Sequence, residues 1–229
     1  MNLRRHPQLS PIRFLTAHPG CWVVYRHDLP DRAATLPLQS PAFDPEVART
    51  LQVAGWGVFY TLQAFGAGPD DAGGRGLRNF GVEVTLASPQ EDRAVSPHEM
   101  ERRKEEYFRD RLLRFPLRPH WLTETRDGFQ AVFRIRPVRG EREMANGLVV
   151  NRWLAAALGG DAGAVRPTQT LRVPGTWQFT DPHAPFLCRV LKDCSVRTPP
   201  YGVAALSDAL AEWRGRQRAG DGPSFFAAC

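Results

Sequence analysis

The chain has 229 residues, 42% of them hydrophobic, and carries a formal net charge of +6 at pH 7. This is enough apolar material for one sizeable core, so we expect one globular domain with short appendages. No apolar run approaches the length of a membrane span, and residues 1–7 lack the apolar segment of an export signal, so we expect a cytoplasmic protein with no membrane partner. The four cysteines lack zinc-finger or disulfide-framework spacing and are expected to be reduced thiols.

The positive charge is carried almost entirely by arginine, because Lys104 and Lys192 are the sole lysines of the sequence. The planar guanidinium fork suits phosphate recognition, so a polyanionic partner is one interpretation of this composition. A GC-rich genome that favours arginine codons explains it equally well. Composition alone leaves both open.

The first part of the chain predicts an N-terminal arm followed by the start of a domain. Residues 1–43 are rich in proline, with one expected strand at 21–25, and form an arm packed on the core. Asp44 and Pro45 predict an N-cap and a first helical position, opening a helix that ends near residue 53. A strand rich in β-forming residues is expected over 56–63, with a loop over 66–74.

The next predicted strand, residues 78–86, places Glu83 within an otherwise apolar stretch. A carboxylate on a buried strand is costly without a partner or a metal. Glu83 therefore either faces solvent at a sheet edge or lines a functional cleft.

The remaining pattern alternates helices with strands. Ser96 and Pro97 begin a charged helix that must stop before Pro116, and its Arg and Glu residues are interpreted as a solvated face. A hairpin turns at residues 126–128, a helix ends at Gly159, a strand covers 186–191, and a last helix covers 203–218, before a loose tail at 220–229. This order predicts an α+β fold with a mostly antiparallel sheet and flanking helices, in one domain over 44–219.

Several stretches together resemble one family. The string Glu124-Thr-Arg-Asp-Gly-Phe-Gln-Ala-Val-Phe-Arg-Ile resembles the hairpin motif of RepB-like primases of plasmids, phages and mobile elements, in the archaeo-eukaryotic primase superfamily. Leu171-Arg-Val-Pro-Gly-Thr-Trp-Gln-Phe-Thr-Asp-Pro-His-Ala-Pro-Phe is similar to a second motif of that family, and Phe80-Gly-Val-Glu-Val-Thr-Leu lies where the family has its acidic strand. The resemblance covers roughly residues 44–210.

The resemblance implies an RRM-like core and a metal-dependent primase or primase-polymerase acting on a single-stranded DNA template with nucleoside triphosphates. Glu83 and Asp161 occupy the first and third acidic positions, which would bind Mg²⁺ or Mn²⁺ for nucleotidyl transfer. Gln130, Arg172 and Thr125 fall at positions expected to contact the nucleotide. The sequence has no Gly-x-x-x-x-Gly-Lys-Ser/Thr loop, so a helicase, where one is used, would be a separate protein.

Two positions depart from the family pattern. Thr85 replaces the second acid, with Glu91 or Asp92 as possible substitutes, and Thr180 replaces an expected lysine. The alternative function is thus a catalytically degenerate primase-like domain that binds nucleic acid. In that case backbone phosphates would be bound by a set of arginines: Arg78, Arg126, Arg134 and Arg172.

Each residue of the predicted site also has a structural interpretation. Arg172 pairs with a neighbouring acid, Asp161 caps the turn after a helix, and Gln130 is an ordinary strand residue. Sequence alone leaves these alternatives open.

Overall fold

The computed structural model describes residues 10–29, 36–64, 76–87, 95–181 and 183–218. The predicted loop at 66–74 and the predicted tail at 220–229 lie outside these ranges. The α-helices are α1 (Pro11–Thr16), α2 (Pro45–Val53), α3 (Pro97–Tyr107), α4 (Glu141–Leu158) and α5 (Val203–Arg218). One π-helical turn, Phe108–Leu112, continues α3.

The helix boundaries follow local capping chemistry. The Asp44 carboxylate accepts hydrogen bonds from the N–H groups of residues 46 and 47, and Ser96 accepts one from Glu99, each just before a proline at the first helical position. Helix α4 ends at Gly159, whose φ of 72° is readily adopted by glycine. The predicted starts of α2 and α3 and the predicted ends of α2 and α4 are confirmed.

Among the described residues, the strands form two four-stranded sheets and a short ribbon, and every named strand pair is antiparallel. The first sheet has the order β2 (Leu38–Ser40), β1 (Val23–His27), β3 (Trp56–Thr61), β7 (Thr170–Arg172). The second has the order β10 (Arg189–Asp193), β5 (Trp121–Thr125), β6 (Gly128–Val138), β4 (Leu77–Thr85). The ribbon pairs β8 (Trp177–Gln178) with β9 (Phe186–Leu187).

This architecture confirms the α+β class and the β5–β6 hairpin, with two differences. The antiparallel strands form two sheets where one was expected, because β1 and β7 pair with β3 across long sequence separations. The strand predicted at 186–191 is divided, because β9 pairs with β8 whereas β10 pairs with β5. Strands β1 and β2, from the predicted N-terminal arm, supply half of the first sheet.

The second sheet is buried on both faces. Phe129, Ala131 and Phe133 of β6 pack with residues of α4 and α5 in one apolar cluster, whereas Val132 packs with residues of the first sheet in another. The sheets come close at Gly81, where an added Cβ would lie 2.6 Å from Leu62 Cδ2. By alternation along the strands, Glu83 and Gln130 project toward the first sheet.

Within the described ranges, no helix is long and apolar enough to cross a membrane. Three cysteines, Cys21, Cys188 and Cys194, are free thiols, as expected, and Cys229 lies outside the described residues.

Candidate functional site

Gln130 connects the two sheets at the predicted site. Its residue position is opposite Glu83 in the β4–β6 pair, and its amide nitrogen donates to Glu83 Oε1 at 2.9 Å. Its amide oxygen accepts from the backbone N–H of Arg172 on β7, at 3.0 Å. Gln130 is buried, so this network fixes the amide between a carboxylate and an N–H donor. Three residues predicted from the sequence thus lie together.

The Arg172 side chain is held by an acid that the sequence analysis did not identify. Its two terminal nitrogens donate to the Asp28 carboxylate at 3.0 and 2.7 Å, and the Asp28 side chain is only 2% exposed. Asp28 also accepts from the Phe179 N–H at 2.8 Å. The structural interpretation of Arg172, a pair with a neighbouring acid, is the arrangement observed.

Gly57 makes room for this ion pair. A Cβ at Gly57 would lie 2.5 Å from Asp28 Oδ1 and 2.8 Å from Arg172 Nη1. A side chain at this position would therefore displace one partner or the other.

A second arginine lies beside the pair. The guanidinium carbons of Arg26 and Arg172 lie 3.9 and 4.5 Å from the centroid of the Phe59 ring. The pKa of Arg26 is lowered, first by loss of solvent around the guanidinium and then by Arg172, while Glu83 and Asp28 act in the opposite direction. Arg26 keeps an exposed surface, and no hydrogen bond or ion pair joins its guanidinium to another described residue.

Asp161 lies next to the backbone of Glu83. Its N–H donates to the Glu83 carbonyl at 3.3 Å, and Gly160 permits the approach because an added Cβ would lie 2.5 Å from that carbonyl oxygen. The Asp161 carboxylate accepts from the Gly163 N–H at 2.7 Å, at the start of a 3₁₀ turn. Asp161 therefore caps a turn, as its structural interpretation stated, while lying beside Glu83.

The acidic residues described here do not complete the three-acid metal centre that the resemblance implies. In the part of the chain that the structure describes, no group of three or more His, Cys, Asp or Glu side chains is placed to hold a metal. One oxygen of Glu83 is bonded to Gln130, and Thr85 occupies an exposed position at the end of β4. Glu91 and Asp92 lie outside the described residues. The Mg²⁺ or Mn²⁺ site stays a prediction.

The hairpin turn is fixed by the segment that contains Thr180. Gln178 accepts from the Arg126 N–H at 3.0 Å and donates to Asp127 at 3.2 Å. Arg126 in turn donates to Asp181 at 3.2 Å. Arg126, predicted to contact nucleic acid, is thus engaged within the protein.

Arg78 and Arg134 lie away from this centre. Asn79, next to Arg78, is in register with Arg134, and Asn79 is four residues along β4 from Glu83, which is about 13 Å at the usual rise per residue. The structure therefore does not bring these two arginines to the site.

Beside the hairpin is an ion pair that the sequence analysis missed. Lys104 on α3 is buried and donates to Glu124 at 2.9 Å and to the carbonyl of Thr125 at 2.6 Å. The local sequence carries no signal of this pair, because Glu124 on β5 is 20 positions away from Lys104. Thr125, predicted to contact the nucleotide, is buried and holds Lys104 through its backbone.

Together the topology and this cross-sheet network define an α+β domain in which hydrogen bonds of Gln130 join two antiparallel sheets. Solved structures with the same fold include the AEP domain of the cyanophage S-2L primase-polymerase, with a TM-score of 0.61 and 12% identity, covering 89% of this chain and all of that one. Primase RepB′ has a TM-score of 0.51 and 15% identity, covering 93% of this chain and 65% of that one. The catalytic domain of RepB′ in complex with initiator DNA has a TM-score of 0.51 and 14% identity, covering 90% of this chain and 94% of that one.

These likenesses confirm the archaeo-eukaryotic primase fold expected from the sequence motifs. No protein-family model matches the sequence, and no curated protein matches it.

Proposed function

We propose that this chain is the primase-like domain of a plasmid or mobile-element replication protein and that it binds the phosphates of single-stranded DNA beside Phe59. The observation that carries the proposal is Arg26, which keeps exposed surface and lies on the Phe59 ring without an ion pair to another described residue. Asp28 neutralises the charge of Arg172, so of the two arginines on Phe59 it is Arg26 that can bind a phosphate.

The stack on Phe59 favours this function physically. A guanidinium that already contacts an aromatic ring loses less conformational freedom on binding than a free side chain does. The RepB′ catalytic domain, which shares the fold, has been solved with initiator DNA, and this supports DNA as the polyanion.

Metal-dependent nucleotidyl transfer is the second candidate. It is favoured by the convergence of Glu83, Gln130 and Arg172 and by the Asp161 N–H on the Glu83 carbonyl. In that case Glu83 and Asp161 would hold Mg²⁺ or Mn²⁺, Gln130 and Arg172 would contact a nucleoside triphosphate, and a separate helicase would open the template. The metal would supply an activated hydroxyl and charge neutralisation.

DNA binding tests the first proposal through the salt dependence of fluorescence anisotropy with a labelled single strand. Arg26→Ala is expected to weaken binding and to lower the salt slope by about 0.7, the value for one phosphate contact on a single strand. Arg136→Ala, at an exposed position near the end of β6, is the matched control and should have less effect. Equal loss in both variants would refute a specific role for Arg26.

Primer synthesis separates the two candidates. Wild-type protein, template, labelled nucleotides and Mn²⁺ are compared with the Glu83→Ala and Asp161→Ala variants. DNA binding without product supports the binding module, whereas product that both substitutions abolish establishes metal-dependent transfer.

A further inference from the structure

An apolar cavity opens between α1, α2 and the β8–β9 ribbon, with a volume of about 510 Å³. Its walls include three exposed apolar side chains, Ile12 at 55%, Trp177 at 42% and Val53 at 84% exposure. Phe43 and Phe179 complete the aromatic part of the lining. The cavity therefore offers flat aromatic surface to a ligand.

Trp177 is held in place before any ligand arrives. Its carbonyl accepts from the Gln52 side chain at 3.0 Å, and β8 pairs Trp177 with Leu187. The preceding Gly175 has a φ of 84° and donates to the Cys188 carbonyl at 2.8 Å. A fixed backbone lowers the entropic cost of presenting an aromatic ring to a partner.

Phe179 links the cavity to the proposed phosphate site. Phe179 lines the cavity, and its N–H donates to the same Asp28 carboxylate that holds Arg172. Phe179 thus lines an apolar cavity, while its backbone contacts the Asp28–Arg172 ion pair beside Phe59. A ligand with a charged backbone and flat apolar groups matches both features.

We propose that the cavity receives an unstacked base of the bound single strand, which stacks on Trp177. This inference rests on the proposed phosphate binding and extends it to the bases. Every base has a π face, so such a contact favours single strands over duplex without selecting sequence. The occupant is therefore single-stranded DNA, bound through base stacking.

The test compares Trp177→Ala with Trp153→Ala, binding a labelled single strand and an abasic strand of the same length. Trp153 is a matched control because it is 40% exposed and lies on α4. Base stacking predicts a loss of about 5- to 140-fold for Trp177→Ala on the normal strand, with most binding kept in Trp177→Phe. Trp153→Ala should bind as the wild type does, and the abasic strand should be indifferent to Trp177→Ala.

The outcomes separate this inference from the one on which it rests. Wild-type binding that Trp177→Ala leaves unchanged overturns the base site and leaves the phosphate site standing. An equal loss in the Trp153 variant, or on the abasic strand, also overturns it. No binding of any strand by the wild type overturns both.

Discussion

Asp28→Asn would leave the Arg172 guanidinium nearly buried without its counter-charge while preserving the shape of the side chain. The pair is bidentate, and the two side chains are 10% and 2% exposed, so water can compensate little of the lost charge. Removing one partner of a buried pair costs about 3–5 kcal/mol. We expect Asp28→Asn to lower the free energy of unfolding by about that amount.

Urea unfolding followed by circular dichroism measures the effect, with Asp208→Asn at an exposed position of α5 as the control. A double-mutant cycle with Arg172→Met isolates the pair, because removing both charges should cost less than the sum of the single changes. A loss for Asp28→Asn no larger than that of the control, or strict additivity in the cycle, would refute the view that these charges depend on each other.

Two further predictions concern buried polar and tight positions. Burial lowers the pKa of His18 to about 4. Below pH 6.5 the unfolded state therefore binds more protons than the folded state does, and the free energy of unfolding decreases as the pH is lowered, by up to about 3 kcal/mol near pH 4. His18→Gln should flatten that part of a stability–pH profile, whereas His98→Gln, at an exposed position, should not. Equal profiles for the two variants would contradict the prediction. Gly160→Ala should destabilise the protein by about 1–3 kcal/mol through the clash with the Glu83 carbonyl, whereas Gly215→Ala, with open space around it, should stabilise α5. Thermal unfolding measures both variants. A change in stability of the same sign in both would contradict the packing.

Much of the secondary structure could be predicted because its causes are local. Asp44, Ser96 and Gly159 mark helix ends through contacts or backbone angles within a few residues of each end. The hairpin likewise follows from a turn sequence between two alternating strands. Helix, hairpin and fold class therefore required no knowledge of distant partners.

The resemblance also placed Glu83, Gln130 and Arg172 in one site, and they are joined by hydrogen bonds. The resemblance could not show which partner each side chain binds. Arg172 is occupied by Asp28, 144 positions earlier in the chain. Nothing in the local sequence around either residue identifies that partner.

The sequence by itself determined the starts of α2 and α3, the end of α4, the β5–β6 hairpin, and which motif residues belong together. Only the tertiary structure decided that the strands form two sheets, that Lys104 is buried against Glu124, and that Arg26 lies on Phe59 beside a compensated Arg172. The physical reason is that capping and turn formation act over a few residues, whereas ion pairing and ring stacking act over a few ångströms between segments brought together only by folding.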